Sequence, residues 1–217
     1  MKAQMSKYIA FFFTLFAIAF VSCEKQDNYS KLLMDYHYQG SFALPIGDSS
    51  LSLKNNGVNL PPEWELDTIL ENVDTIKLQQ IIAFNFKNSV SHIEYIKRLV
   101  LRVVTTNDFP AKAQLLLYFA DTLNSIVDSL SDQKITIEPA SIDSMGRVIN
   151  ASYSINDLEV IKEHFNNWSN VNRIYVIGYI LNHTKQKSLY KYYKNYKLKV
   201  ELGFRVDLDH TFHKTVF

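Results

Sequence analysis

Residues Tyr196 to Asp209 read YKLKVELGFRVDLD, with Leu198, Val200, Leu202, Phe204, Val206 and Leu208 alternating with Lys197, Lys199, Glu201, Gly203, Arg205 and Asp207. A period of two held over this length marks a strand with one face on a core and the other in water. It predicts a long, half-buried strand.

The pattern repeats upstream in less regular form. Arg173 to Leu181 (RIYVIGYIL) is almost continuously apolar and β-branched or aromatic, as expected of a strand covered on both faces. In Tyr95 to Thr106, Leu99, Leu101 and Val103 alternate with Arg98, Val100 and Arg102. Asn107-Asp108-Phe109-Pro110 then reads as a turn, and Ala111 to Ala120 as the returning strand of an antiparallel hairpin. Ile76, Leu78, Ile82, Phe84 and Phe86 outline another strand, with a bulge expected near Gln80-Ile81. Phe42 to Gly47 and Leu51 to Leu53 read as two short pieces divided by a Gly47-Asp48-Ser49-Ser50 turn, and Pro45 makes the first an edge or entry strand. Ile126 to Leu130 and Lys134 to Glu138 are further strand candidates, and Met145-Gly146-Arg147 a turn.

Two segments read as helices. Pro61-Pro62-Glu63-Trp64 opens a stretch to Val73 with acids in its first turn. Asn156 offers a cap, after which Leu158, Ile161, Phe165 and Trp168 recur at spacings of three and four. The sum is a mainly β fold: an antiparallel β-sandwich or curved barrel-like sheet with one or two short helices. Strands do not alternate with helices of comparable length, which disfavours a doubly wound α/β plan.

The chain has 217 residues, 47% of them hydrophobic and 21% charged, enough for one ordinary core. Lys and Arg number 23 against 22 Asp and Glu, so the broad positive field of a nucleic-acid binder is missing and no nucleic-acid partner is expected. Six glycines leave little room for phosphate-cradling loops.

The first residues, MKAQMSKYIAFFFTLFAIAFVSC, place Lys2 and Lys7 before an apolar run from Tyr8 to Val21. This is the build of a bacterial export signal, and the run is shorter than the roughly 20 residues a spanning helix needs. Val21-Ser22-Cys23 resembles a lipobox, with Phe20 where that motif usually has Leu. The resemblance implies cleavage before Cys23, the only cysteine, and its modification with acyl chains. Each buried methylene contributes about 0.8 kcal/mol to such an anchor. The expected layout is a signal peptide at 1–22, a tether at 23–39, one β-rich domain at 40–209 and a tail at 210–217. The expected partner is a membrane, reached through the N-terminal lipid, with an envelope protein as a second candidate.

Local signals for chemistry are sparse. Asp207, Asp209, His210 and His213 could be imagined around a divalent cation, but a solvated tail accounts for them and neither metal nor cofactor is expected. Motifs for acyl transfer, nucleotide binding and zinc hydrolysis do not occur. A carboxylate pair brought together by folding would leave no local trace, so an envelope hydrolase stays as a third reading. Lysines and tyrosines interleave from Lys185 to Lys197, and Lys187, Lys191, Tyr192, Tyr193 and Lys194 are candidates for surface contact; the alternative is a hairpin whose tyrosines pack locally.

Asp67-Thr68-Ile69, Asp74-Thr75-Ile76, Asp121-Thr122-Leu123, Asp128-Ser129-Leu130 and Asp143-Ser144-Met145 resemble the Asp-(Ser/Thr)-aliphatic triplet at which Bacteroidota O-glycosylate exported proteins. That makes Thr68, Thr75, Thr122, Ser129 and Ser144 candidate acceptors. With the lipobox, the chain resembles uncharacterised β-rich lipoproteins of that phylum, which implies an envelope location, the outer membrane foremost, and no specific activity. The functional expectation is a lipid-anchored, non-enzymatic binding or accessory subunit. The alternative is a lipid- or glycan-binding module whose apolar groove lies between a curved sheet and the Leu158 to Trp168 helix.

Overall fold

The computed structural model describes residues 36–54, 73–89, 93–130, 134–161, 163–164, 167–181 and 183–212. Residues Gln39–His210 form one compact unit. The strands, in chain order, are β1 (Tyr36–Leu51), β2 (Thr75–Ala83), β3 (Ile96–Asn107), β4 (Lys112–Ala120), β5 (Ile126–Ser129), β6 (Ile135–Ile137), β7 (Ser141–Ile142), β8 (Val148–Asn150), β9 (Ser152–Val160), β10 (Arg173–Leu181) and β11 (Leu198–Phe212). They build a four-stranded sheet of order β1-β11-β3-β9, a five-stranded sheet in which β2-β10-β4-β5 run side by side and β6 adds to β4, and the small β7-β8 ribbon.

The two large sheets face each other as an antiparallel sandwich. Leu99, Leu101 and Val103 of β3 and Leu198 to Val206 of β11 share one core with Ile76 and Leu78 of β2, Leu115 and Leu117 of β4, and Ile174 and Val176 of β10. The sheets approach closely enough that a Cβ on Gly178 of β10 would lie 2.8 Å from Leu198 Cδ2. Trp168 closes one end of the core, stacked on Phe119 with ring centroids 4.1 Å apart and flanked by Phe86 and Phe204.

The alternation in β11 is realised as read: Leu198, Val200, Leu202, Phe204 and Val206 are buried. Several other readings are corrected. The Gly47-Asp48-Ser49-Ser50 stretch is no turn, because β1 runs unbroken through it; pairing with the 15-residue β11 outweighs a weak turn preference. Pro45 does sit on an edge strand. β2 pairs with β10 without a register shift, so the bulge near Gln80-Ile81 is absent. β10 is fully buried on one face only, and Tyr175, Ile177 and Tyr179 on the other are half-buried. β1 begins at Tyr36, within the stretch read as a tether, and β11 runs past Asp209 to Phe212.

β3 and β4 are not a hairpin, for they lie in different sheets. The chain crosses between sheets at Asn107, whose buried amide donates to Ala111 O and Glu138 O and accepts from Phe109 N, all at 2.9 Å. With its side chain so satisfied, Phe109 turns inward and is fully buried.

The helix expected from Asn156 to Trp168 is also replaced. Its first half is strand β9, paired along its whole length with β3. Arg98 and Arg102 on β3 grip Glu159 and Asp157, and the apolar residues of SYSINDLEV divide between the faces, Leu158 and Val160 inward and Tyr153 and Ile155 exposed. The strand ladder prevails, leaving a 3-10 turn at Asn167–Asn170 to bury Trp168. The helix expected between Pro61 and Val73 lies, apart from Val73, outside the described residues. A four-residue α1 (Phe86–Ser89) is the α-helix with a complete span among the described residues.

Candidate functional site

The outward face of the four-stranded sheet carries the densest polar array. Register fixes its rows: Gly203 of β11 lies opposite Arg102 of β3, which lies opposite Asp157 of β9; Arg205, Val100 and Glu159 form the next row. Two parallel hydrogen bonds join Arg102 to Asp157 at 2.8 and 2.7 Å, and two join Arg98 to Glu159 at 3.0 and 3.2 Å. These bonds, together with the charge of the same arginines, hold the Asp157 and Glu159 carboxyls below the usual carboxylate range. Both are therefore ionised and occupied at neutral pH, the opposite of a poised general acid.

A bulge shapes one end of this face. Asp207 pairs with Arg98 but Leu208 pairs with Ile96, so Lys97 is the extra residue and points outward with Arg98. There Lys97, Arg98, Glu159, Asp207 and Gln39 to Ser41 of β1 line an open cleft of about 520 Å³. Ser41 Oγ donates to Asp207 Oδ1 at 2.5 Å, and Lys97 pairs with Asp209 at 3.3 Å.

Beside it, a second groove of about 370 Å³ runs over Gly203. Its floor is apolar: the Gly203 backbone, Ala43, Leu44 and Pro45 of β1, and Val104 of β3. Its rim is charged, with Glu201 on one side of Gly203 along β11 and Arg205 on the other. The groove exists because residue 203 has no side chain. A Cβ there would meet Leu44 O at 3.5 Å, ordinary contact, so packing does not demand glycine. Arg102 is held by two bonds to Asp157, whereas Arg205 Nε is buried, makes no hydrogen bond and pairs with Asp207 Oδ1 at 3.9 Å.

Asp207 and Asp209 are thus held by Ser41 and Lys97, the His210 side chain and His213 lie outside the described residues, and among the described residues no three metal-ligating side chains converge. Cys23 and Thr68 also lie outside them. In the lysine–tyrosine segment, a run of 3-10 turns from His183 to Asn195, residues three apart share a face. Tyr190, Tyr193 and Tyr196 accordingly turn inward around Phe109, with neighbouring ring centroids 5.5 to 5.8 Å apart. Tyr193 is fully buried, which corrects its reading as a surface contact. Lys191 is exposed with its ammonium 4.9 Å from the Tyr192 ring, Lys194 is half-buried, and the Lys187 side chain lies outside the described residues. Of the acceptor candidates, Thr75, Thr122 and Ser144 are exposed and Ser129 is half-buried.

Sequence reading did not find the Asp128 cluster. The Asp128 carboxylate accepts from Trp168 Nε1 at 2.6 Å and from Ser129 N at 2.7 Å, and lies 2.7 Å from His164 Nδ1. These residues are some 36 to 40 positions apart along the chain, so only the fold brings them together.

No protein-family model and no curated protein matches the chain. Among solved structures, one described as a "putative secreted protein" from Parabacteroides distasonis is similar over 61% of this chain and 38% of its own, at 14% identity and a TM-score of 0.42. The infectious bursal disease virus Gx strain structure is similar over 78% of this chain and 32% of its own, at 7% identity and a TM-score of 0.32. The chain therefore spans about a third of the length of either; likeness of this order assigns neither a family nor an activity.

Proposed function

We infer that this chain is a lipid-anchored protein of the bacterial cell envelope, held at the outer membrane through Cys23, and that it acts without catalysis as a binding or accessory subunit. The groove over Gly203 carries this reading. Its volume of about 370 Å³ lies within the roughly 300–1,000 Å³ of small-molecule sites, and its apolar floor with a few polar groups at the rim is the usual build of such sites. The engagement of Asp157 and Glu159 by arginines supports binding over acid–base chemistry. Export and anchoring are supported by the leader before Cys23, and among the described residues no helix is long and apolar enough to cross a membrane.

Two measurements test this. Cys23→Ser should abolish labelling by a radioactive fatty acid, and a labelled mutant would remove the anchor. Capture from native envelopes should recover a partner or ligand with the wild-type chain and lose it with Gly203→Val; equal recovery would remove the groove.

A further inference from the structure

We propose that the Gly203 groove takes a neutral saccharide, lying along β11 toward the neighbouring cleft. This rests on the groove being the binding surface, and it names the ligand class. The choice follows from charge and from what the face offers.

Around the track, the four cations Lys97, Arg98, Arg102 and Arg205 meet the five carboxylates Asp157, Glu159, Glu201, Asp207 and Asp209, so opposite charges are interspersed and nearly cancel. A surface so compensated exerts little net pull on a polyanion or a polycation. An acyl chain would strip water from these charges and give nothing in return. A peptide added as a strand would pair outside the edge strand β1, whereas the floor at Gly203 lies over β11, which is paired with β1 on one side and β3 on the other.

A sugar ring meets both halves of the site. Its C–H face packs on the flat floor of Gly203, Val104 and Pro45, and its hydroxyls both donate and accept. The Arg205 side chain, 42% exposed at the groove rim, supplies donors, and the Glu201 carboxylate supplies acceptors. Glu201 to Leu208 spans about 24 Å at roughly 3.4 Å per residue, which accommodates an oligosaccharide.

The test uses the lipidated chain purified in detergent micelles and titrated with the neutral tetrasaccharides cellotetraose, maltotetraose, laminaritetraose and mannotetraose, at up to about 10 mM, the weak end of measurable affinity. At least one should bind. Gly203→Val should weaken that binding at least tenfold with thermal stability retained, Arg205→Gln and Glu201→Gln should each weaken it severalfold, and added salt should change it little. If Gly203→Val does not fold, the two rim variants decide. Tetrasaccharide binding indifferent to these variants would overturn the placement. Binding of none of the four would overturn the ligand class; if capture of an envelope component still depends on Gly203, the broader reading survives, and if it does not, both fail. Binding of an acidic polysaccharide such as polygalacturonate in place of the neutral probes, with steep salt dependence, would also overturn the class.

Discussion

The ring of Tyr192 covers Gly146 so closely that a Cβ on that glycine would stand 2.1 Å from Tyr192 Cδ2. Gly146 also has φ +75°, the left-handed region that glycine occupies without steric cost. Its carbonyl accepts the Tyr196 hydroxyl at 3.1 Å, so the β7–β8 turn is docked onto the segment leading into β11.

Gly146→Ala should therefore destabilise the protein by roughly 2–4 kcal/mol, from the backbone conformation and the overlap with the ring together. Urea unfolding of Gly146→Ala, Tyr192→Ala and the double variant checks this. Removing the ring should recover part of the loss, and strictly additive effects would show that the two residues do not touch.

Asp128 holds the other end of the core. Trp168 is wholly buried, and its indole N–H is satisfied by the Asp128 carboxylate. Asp128→Ala should cost roughly 2–4 kcal/mol, because it leaves a buried donor unpaired and also releases His164. Asp128→Asn should cost less, about 1 kcal/mol, since an amide oxygen can still accept from Trp168. Denaturation midpoints at unchanged slope give the comparison, and equal losses would show that the charge, and not the acceptor, matters.

How much of this was legible in the sequence differs by feature. In β11 hydrophobic period and tertiary environment agree, and the pattern alone located the strand and its buried side. Residues Asn156 to Trp168 carry apolar residues at helical spacing, and what overrode it was backbone pairing along β9 with the distant strand β3, which no local pattern shows. The crossing at Asn107 was misread for a similar reason: a short polar turn between two strands looks the same whether the strands pair or separate. The groove was invisible because it consists of a missing side chain, and Gly203 takes its meaning only from Leu44 and Arg102 on either side. The buried tyrosines could have been found, since Tyr190, Tyr193 and Tyr196 recur every three residues, the repeat of a 3-10 helix.

That tyrosine cluster predicts alkaline sensitivity. Burial pushes the Tyr196 hydroxyl from 10 up to about 12 and raises that of Tyr193 as well. An unfolded chain releases both protons near pH 10 while the folded chain keeps them, so the folded state binds more protons in between. Stability from this source is complete below pH 10 and falls as pH rises toward about 12. Unfolding measured at about pH 8 and about pH 11 should show the loss in the wild type and a smaller one in Tyr193→Phe/Tyr196→Phe. An equal loss in both would place the alkaline transition elsewhere.

Two of the Asp-(Ser/Thr)-aliphatic triplets share one turn geometry. Asp121 Oδ1 accepts from the backbone N–H of Leu123 and Ser125, and Asp143 Oδ1 from those of Met145 and Arg147, at 2.8 to 2.9 Å. Each aspartate also pairs through its backbone with the residue four positions on, and Asn124 and Gly146 take the left-handed conformation at the same place, with φ 65° and 75°. Thr122 and Ser144 consequently occupy equivalent, exposed positions on protruding turns, where an enzyme can reach the hydroxyl. Ser129 differs: it is half-buried in β5, and its aspartate is turned toward Trp168 and His164. If the triplets are used, mass spectrometry of the protein from its native envelope should find glycan on the peptides carrying Thr122 and Ser144 and none on Ser129. Thr122→Ala and Ser144→Ala should each remove one glycan mass without altering the unfolding midpoint. Glycan on Ser129 with Thr122 and Ser144 bare would show that the exposed turn is not what the modifying enzyme selects.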